Sequence, residues 1–387
     1  MNCSDIEKKW QEYLDGILSG DEEEKIETHI KNCTTCSNRL NEELEKDPAF
    51  GYDTDGPLDA SKEARILKRA KWKSRISNAV SAVLLVLAIT IISGFLSGLY
   101  YGIGEPNRVE NAVRVSQMVT ELTMPNVFSR SGGGRVKTFF RMESSFELQK
   151  QIGREQYTIG HLETKMIFDR MNVVRKWANG SLDLKLYFVH PEGGERSGVD
   201  DTWGTLEILP AGTVSEMAVS FDKLYSLDKV YDIFSGYDVD LLWFPVNTGV
   251  ETDQRNGPLL SVVDNLIGLP QFAHTLEYEP GSGGNFSLQD EGDSDKKEAA
   301  FIRGLEFLLE HENWAKKAYR GREEELMLRE RLDYVRENGL KVYGAVITGP
   351  TKELLRLKEV KEIKYPVLGE TTWWNWQMRH YQGTIRN

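Results

Sequence analysis

Residues 76–103 carry no charged side chain, and 80–99 are almost wholly apolar or small. A bilayer's hydrocarbon core is about 30 Å thick and takes roughly 20 helical residues, so this run is long enough to span it with length to spare. The run begins far from Met1 and shows no small-residue cleavage site, which argues against a signal peptide. A buried core helix would show a shorter run broken by polar faces. The chain is therefore expected to fold as separate parts on either side of one membrane helix.

The flanks set the expected direction. Lys62, Arg65, Lys68, Arg69, Lys71, Lys73 and Arg75 precede the run against a lone Glu63, and Glu105 is the first charge after it. Positive residues stay on the cytoplasmic side, which predicts an inside N-terminus and an outside C-terminal part from about residue 104. Trp72 and the pair Tyr100-Tyr101 suit the two interfaces, and the basic run also suits contact with anionic lipid. Gly94, Gly98 and Gly102 recur every four residues, beside Ser93 and Ser97. That small-xxx-small face would let another membrane helix or a co-regulator approach closely, although glycine is common in membrane helices anyway.

All three cysteines fall at the start of the chain, so no disulfide framework holds the large C-terminal part. Cys3 precedes His29-Ile30-Lys31-Asn32-Cys33-Thr34-Thr35-Cys36, an H-x3-C-x2-C pattern. Zinc prefers four tetrahedral thiolate and imidazole ligands, and Cys3, His29, Cys33 and Cys36 make a complete set. Ser4-x-x-Glu7 reads as a capping box that starts a helix after Cys3, with Ile6, Trp10, Tyr13 or Leu14, and Ile17 at helical spacing. Gly16, Ser19 and Gly20 break it. A second helix is expected over 21–32, its acidic first turn complementing the helix dipole, and a third from Thr34 with Cys36, Leu40 and Leu44 on one stripe. Helices this short bury little on their own, so a structural metal is apt. Two alternatives stay open. One is a Cys33-x-x-Cys36 redox pair, which lacks a surrounding βαβ pattern; the other is chance, Cys3 being the least constrained member.

This arrangement resembles the zinc-binding anti-sigma family, over roughly the first 75 residues. The resemblance implies a three-helix zinc bundle and a fourth helix that clamp an extracytoplasmic-function sigma factor and keep it off core RNA polymerase. Cys3 replaces the His seen in many members. Because only some members respond to thiol oxidation, redox sensing is not implied. The fourth helix would fall on 59–75, with Ile66, Leu67 and Ala70 as an apolar stripe offered to the sigma factor. Residues 47–58, with Pro48, Gly51, Gly56 and Pro57, would form a flexible linker.

Residues 104–387 hold no P-loop, G-x-S-x-G, H-E-x-x-H or zinc spacing, so an enzyme is not expected and no catalytic residue is assigned. His161, His190, His274, His311 and His380 are scattered and read as ordinary structural or surface residues. A helix over 106–122 and a glycine-rich break at 131–134 are expected. Strands are expected over 136–142, 162–168, 182–189, 206–209, 239–246 and 341–348. A loop over 280–298, an amphipathic helix over 299–318 and a short helix over 351–357 complete an α+β domain. Trp373-Trp374-Asn375-Trp376 reads as core or interface rather than a ligand platform. Leu209-Pro210-Ala211-Gly212-Thr213-Val214, Val219-Ser220-Phe221-Asp222, Leu242-Trp243-Phe244-Pro245-Val246-Asn247-Thr248-Gly249 and Tyr343-Gly344-Ala345-Val346-Ile347-Thr348-Gly349-Pro350 resemble the C-terminal domain of membrane-anchored sigma-factor regulators of Gram-positive bacteria. That resemblance covers about 205–375 and implies regulation without chemistry.

The expected architecture is multi-domain. It runs from an all-α zinc bundle (1–46) through the linker (47–58), a juxtamembrane basic helix (59–75) and a transmembrane helix (76–103). A membrane-proximal extracytoplasmic region (104–204) and a sigma-regulator-like domain (205–387) follow. The expected function is sequestration of a sigma factor, released under control of the external part. The rival readings are a membrane-tethered enzyme or receptor with a structural or redox-sensing zinc domain, and a DNA-binding regulator. The last would need a basic helix-turn-helix where this chain is acidic, with 60 Asp plus Glu against 48 Lys plus Arg, so no direct nucleic-acid contact is expected.

Overall fold

The computed structural model describes residues 2–14, 17–46, 60–181, 185–193, 201–251, 259–260, 265–272, 274–277 and 294–376. The expected linker at 47–58 lies outside them. The chain divides into two compact units, Met1–Ala82 and Val83–Asn387.

The first unit opens with α1 (Cys3–Lys8), α2 (Trp10–Leu14), α3 (Gly20–Asn32) and α4 (Thr34–Lys46). The capping box is Asn2–Asp5 rather than Ser4–Glu7. The Asn2 side chain accepts the Asp5 N–H at 3.0 Å while the Asp5 carboxylate accepts the Asn2 N–H at 3.3 Å. Asparagine caps as well as serine does, so the helix begins earlier and Cys3 sits inside its first turn. Ile6, Trp10, Ile26, Ile30 and Cys36 form the core, with Tyr13, Leu18 and Leu40 against it. Of the alternatives Tyr13 and Leu14 it is Tyr13 that packs there, Leu14 being 40% exposed; Ile17, expected on that face, is 74% exposed, because α2 ends at Leu14 and Leu18 fills the place.

The basic segment and the charge-free segment share one helix, α5 (Ala60–Gly102), 43 residues long. No proline and no glycine interrupts it before Gly94, so composition changes along it while the backbone does not.

In the second unit α6 (Arg108–Thr123) is capped by Asn107, whose side chain accepts the Glu110 N–H at 3.0 Å. A four-stranded antiparallel meander follows: β1 (Val127–Lys137), β2 (Arg141–Ile152), β3 (Glu155–Ile167) and β4 (Arg170–Trp177). Two expectations fail here. Residues 136–142 are not one strand: they are the end of β1, a turn at 138–140 where Phe139 and Phe140 take left-handed backbone angles, and the start of β2. The glycine-rich 131–134 is not a break but lies within β1. A Cβ on Gly132 would stand 2.2 Å from the Ser145 carbonyl, so glycine serves close strand approach here, not a turn.

Next come β5 (Phe188–Val189) and α7 (Thr202–Ile208). Of the strand expected over 182–189 only β5 is present among the described residues. The strand expected over 206–209 is instead part of α7, started by Asp201, which accepts the Gly204 N–H at 2.9 Å. The remaining elements are β6 (Thr213–Tyr225), α8 (Leu227–Phe234), β7 (Asp240–Pro245), β8 (Leu259–Leu260), β9 (Gly268–Pro270), α9 (His274–Glu277), α10 (Ser294–Glu310), α11 (Glu312–Ala318), α12 (Leu328–Asn338), β10 (Val342–Pro350), α13 (Thr351–Arg356) and β11 (Ile363–Trp373). The amphipathic helix expected over 299–318 is thus two helices that break at His311, and α10 reaches back into the expected loop.

Strands in the main sheet run in the order β11-β6-β10-β7-β9, all antiparallel. Its centre is buried on both faces, as the near-continuous apolar run of β10 requires. Phe221, Phe244, Phe301, Leu305, Leu332, Val342 and Ile347 belong to one core shared by sheet and helices.

The meander and the main sheet meet over a polar seam. Lys150 on β2, 1% exposed, lies 2.8 Å from Glu216 on β6 and 2.8 Å from Glu370 on β11. The Asn126 amide donates to Glu216 at 2.7 Å, and the Gly153 N–H donates to the Thr348 hydroxyl at 2.6 Å. Gly153 has φ +63°, and a Cβ there would meet the Asn375 side chain at 1.9 Å. A lysine buried this deeply stands only because two carboxylates face it.

Candidate metal centre

Four ligand atoms from three helices converge in the first unit. Cys3 comes from the first turn of α1, His29 from the last turn of α3, Cys33 from its C-cap, and Cys36 from the first turn of α4. One ligand atom from each residue lies within 4.8 Å of all the others. The Cys3 and Cys33 sulfurs are 3.7 Å apart, and Cys3 Sγ is 3.5 Å from His29 Nε2. A tetrahedral zinc with Zn–S of about 2.3 Å and Zn–N of about 2.05 Å would put S···S near ~3.75 Å and S···N near ~3.5 Å. The residues present therefore fit the ion.

The surroundings set the chemistry of the sulfurs. The Cys36 backbone N–H, followed by the Cys3 thiol, draws the Cys33 thiol down to about 6. Burial, followed by the neighbouring cysteines, pushes the Cys36 thiol up to about 11. Both must lose their protons to ligate, so metal affinity falls with acidity. Arg39 packs over the Trp10 ring at 5.1 Å and pairs with Glu7 at 3.0 Å, tying α4 to α1 and α2 beside the site.

The other sequence candidates are not gathered into this site. Ala70 is exposed on α5, and the side chains of Ile66 and Leu67 lie outside the described residues. Gly94 faces the chain's own hairpin, since a Cβ there would touch the Thr138 methyl at 3.4 Å, whereas Gly98 and Gly102 face open space. Trp72 is 64% exposed, but Tyr101, expected at the outer interface, is fully buried. Its hydroxyl lies 2.9 and 3.0 Å from the Phe140 and Phe168 carbonyls, which share its one proton, contacts with no trace in sequence spacing. Trp373 and Trp374 are exposed while Trp376 is buried under Arg154, so the tryptophan cluster forms no single platform. Among the described residues no second group of three or more His, Cys, Asp or Glu has ligand spacing.

Comparison with known proteins agrees with this geometry. Residues 3–37 match a zinc-finger family, 64–157 match "Sigma factor regulator N-terminal", and 206–370 match "Sigma factor regulator C-terminal". The chain belongs to the family of anti-sigma factors that carry these segments, regulators rather than enzymes, whose N-terminal region binds zinc and whose partner is a sigma factor. At the level of a particular relative, it is similar to "Probable anti-sigma-M factor YhdL" of Bacillus subtilis (strain 168). The two are 33% identical over 386 residues, which cover 97% of this chain and 100% of that protein. No solved structure matches it.

Proposed function

We propose that Cys3, His29, Cys33 and Cys36 together ligate one zinc ion, and that the bundle so formed sequesters a sigma factor of the extracytoplasmic-function group. Sequestration keeps that factor from RNA polymerase. The observation that carries this reading is the convergence of the four ligand atoms in a bundle too small to hold itself together. In this reading α5 crosses the bilayer once, with the N-terminus in the cytoplasm and residues 104–387 outside, as the basic residues ending at Arg75 favour. The most apolar stretch of α5 is left almost wholly exposed by the rest of the chain, which suits a lipid-facing span. Residues 47–58 act as linker and 59–75 as a sigma-contacting helix, its stripe at Ile66, Leu67 and Ala70 entering a groove on the partner. Residues 104–204 and 205–387 control release. Gly98 and Gly102 remain open to a second membrane helix or co-regulator.

The test uses the full chain in cells carrying a promoter read by the cognate sigma factor. Ile66→Glu with Leu67→Glu should raise transcription and weaken capture of the factor about a hundredfold or more. Burying each such side chain is worth about 1.5–3 kcal/mol, and each 1.4 kcal/mol is tenfold. Zinc content and membrane extraction should not change. Undiminished repression by this variant would reduce 59–75 to a connector, and phosphatase fusions active at Ala60 but silent after Glu110 would reverse the orientation.

A further inference from the structure

Beyond the span itself, the second unit carries an apolar surface that no motif announced. The β1–β2 tip holds Phe139 and Phe140, and the β3–β4 tip holds Ile167 and Phe168. Phe139, Ile167 and Phe168 are 48%, 54% and 49% exposed. Phe140 and Phe168 stack at 4.6 Å, joining the tips into one aromatic edge, and Tyr100 packs edge-on against both rings. Both tips lie along the C-terminal part of α5, whose Ile92, Phe95, Leu96 and Leu99 are likewise exposed.

We propose that these two hairpin tips are inserted in the outer leaflet of the bilayer beside α5, so that the external domain holds the lipid surface directly as well as through its helix. This rests on the reading of α5 as a membrane span. The register along the helix sets the depth. The Phe139 N–H donates to Ser93 Oγ at 2.6 Å and the Phe140 N–H to Ser97 Oγ at 2.8 Å. At 1.5 Å per residue the charge-free run is about 42 Å long, roughly 12 Å more than a hydrocarbon core. If that whole excess stood outside the membrane, Ser93 would still lie within the hydrocarbon, and the backbone of Phe139 lies against it.

Non-helical backbone enters a bilayer only when its N–H and C=O groups find partners within the protein. Here the two serines take the Phe139 and Phe140 N–H groups, and the Phe140 carbonyl accepts the Phe168 N–H at 2.9 Å. The buried Tyr101 hydroxyl serves the Phe140 and Phe168 carbonyls. The nearest acid, Asp169, is paired with Arg108 at 2.9 Å and bonded to the Tyr100 hydroxyl at 3.0 Å. Exposed Arg141 and Arg170 stand just behind the tips, where headgroup phosphates would meet them. A water-facing tip needs none of this, and aromatic side chains at this level are what a membrane interface selects.

The test places a photoreactive benzophenone amino acid, one position at a time, at Phe139, Phe168, Leu85 or His161 of the full chain. The protein is reconstituted in phosphatidylglycerol–phosphatidylethanolamine vesicles and irradiated, and adducts are read by mass. His161 is exposed and about 20 Å up β3 from its tip, by strand rise. Phospholipid adducts at 139, 168 and 85, and none at 161, are the expected result. Adducts at 85 without any at 139 and 168, or protein adducts there instead, overturn the proposal and leave the span standing. No adduct at 85 removes the span, and the proposal with it.

Discussion

The zinc bundle and the second unit are stabilised by opposite means. Among the described residues the bundle's buried apolar cluster is five side chains, Ile6, Trp10, Ile26, Ile30 and Cys36, and one of those belongs to the candidate ligand set. The second unit has a core large enough to bury Phe221, Phe244, Phe301 and Ile347 completely, and it also carries charges inside, such as Lys150 with Glu216 and Arg331 with Glu251. A small core leans on a metal; a large one can bear the desolvation of ion pairs that add little net stability but fix how elements meet.

The contrast can be broken most forcefully at the metal. Cys33→Ser with Cys36→Ser should abolish zinc content and unfold the bundle, because apparent zinc energies of about 10–16 kcal/mol are folding energy in domains of this size. Limited proteolysis of the full chain would show cleavage confined to the N-terminal unit. If the second unit melted with it, the two would not be independent. The next effect is smaller. Burial alone would lower the pKa of Lys150, but Glu216 and Glu370 outweigh it and raise it, so the charged form is favoured. Lys150→Met would leave Glu216 buried without its cation and should cost the second unit about 3–5 kcal/mol in urea unfolding, with zinc content unchanged. Lys150→Met with Glu216→Gln should recover much of that loss. The smallest effect is a pH slope. Burial holds the His190 pKa below its ordinary value, and Glu251, Glu192 and the Asn247 amide oppose this only in part. The unfolded chain therefore binds the proton first as pH falls below about 6.5. Stability of the second unit should be unaffected by this group above that value and should decline toward pH 5, and His190→Gln should flatten the decline.

Much of the metal centre was legible because its chemistry is local: H-x3-C-x2-C places three ligands within two helical turns, and only Cys3 had to arrive from elsewhere. The charge-free run was legible for the same reason. What escaped were features made by contacts far apart in sequence. Lys150 reads as a surface residue until Glu216 and Glu370 are seen beside it. The glycines of 131–134 signal a turn locally, yet Gly132 is there because Ser145 on the next strand comes so near. Leu206 and Ile208 alternate like a strand, but Asp201 upstream caps a helix, leaving Leu206 buried and Ile208 83% exposed. Phe139 and Phe168 look like ordinary hydrophobic residues; their partner is α5, about seventy residues or fewer away, which no periodicity links to them.

The Lys150 seam also bears on how such a chain can change over evolutionary time. The two regulator segments matched as distinct families, 64–157 and 206–370, contribute opposite members of one ion cluster. A graft of either onto a foreign neighbour would leave buried Lys150 or Glu216 without its counter-charge, so the two segments fit together only as a matched pair.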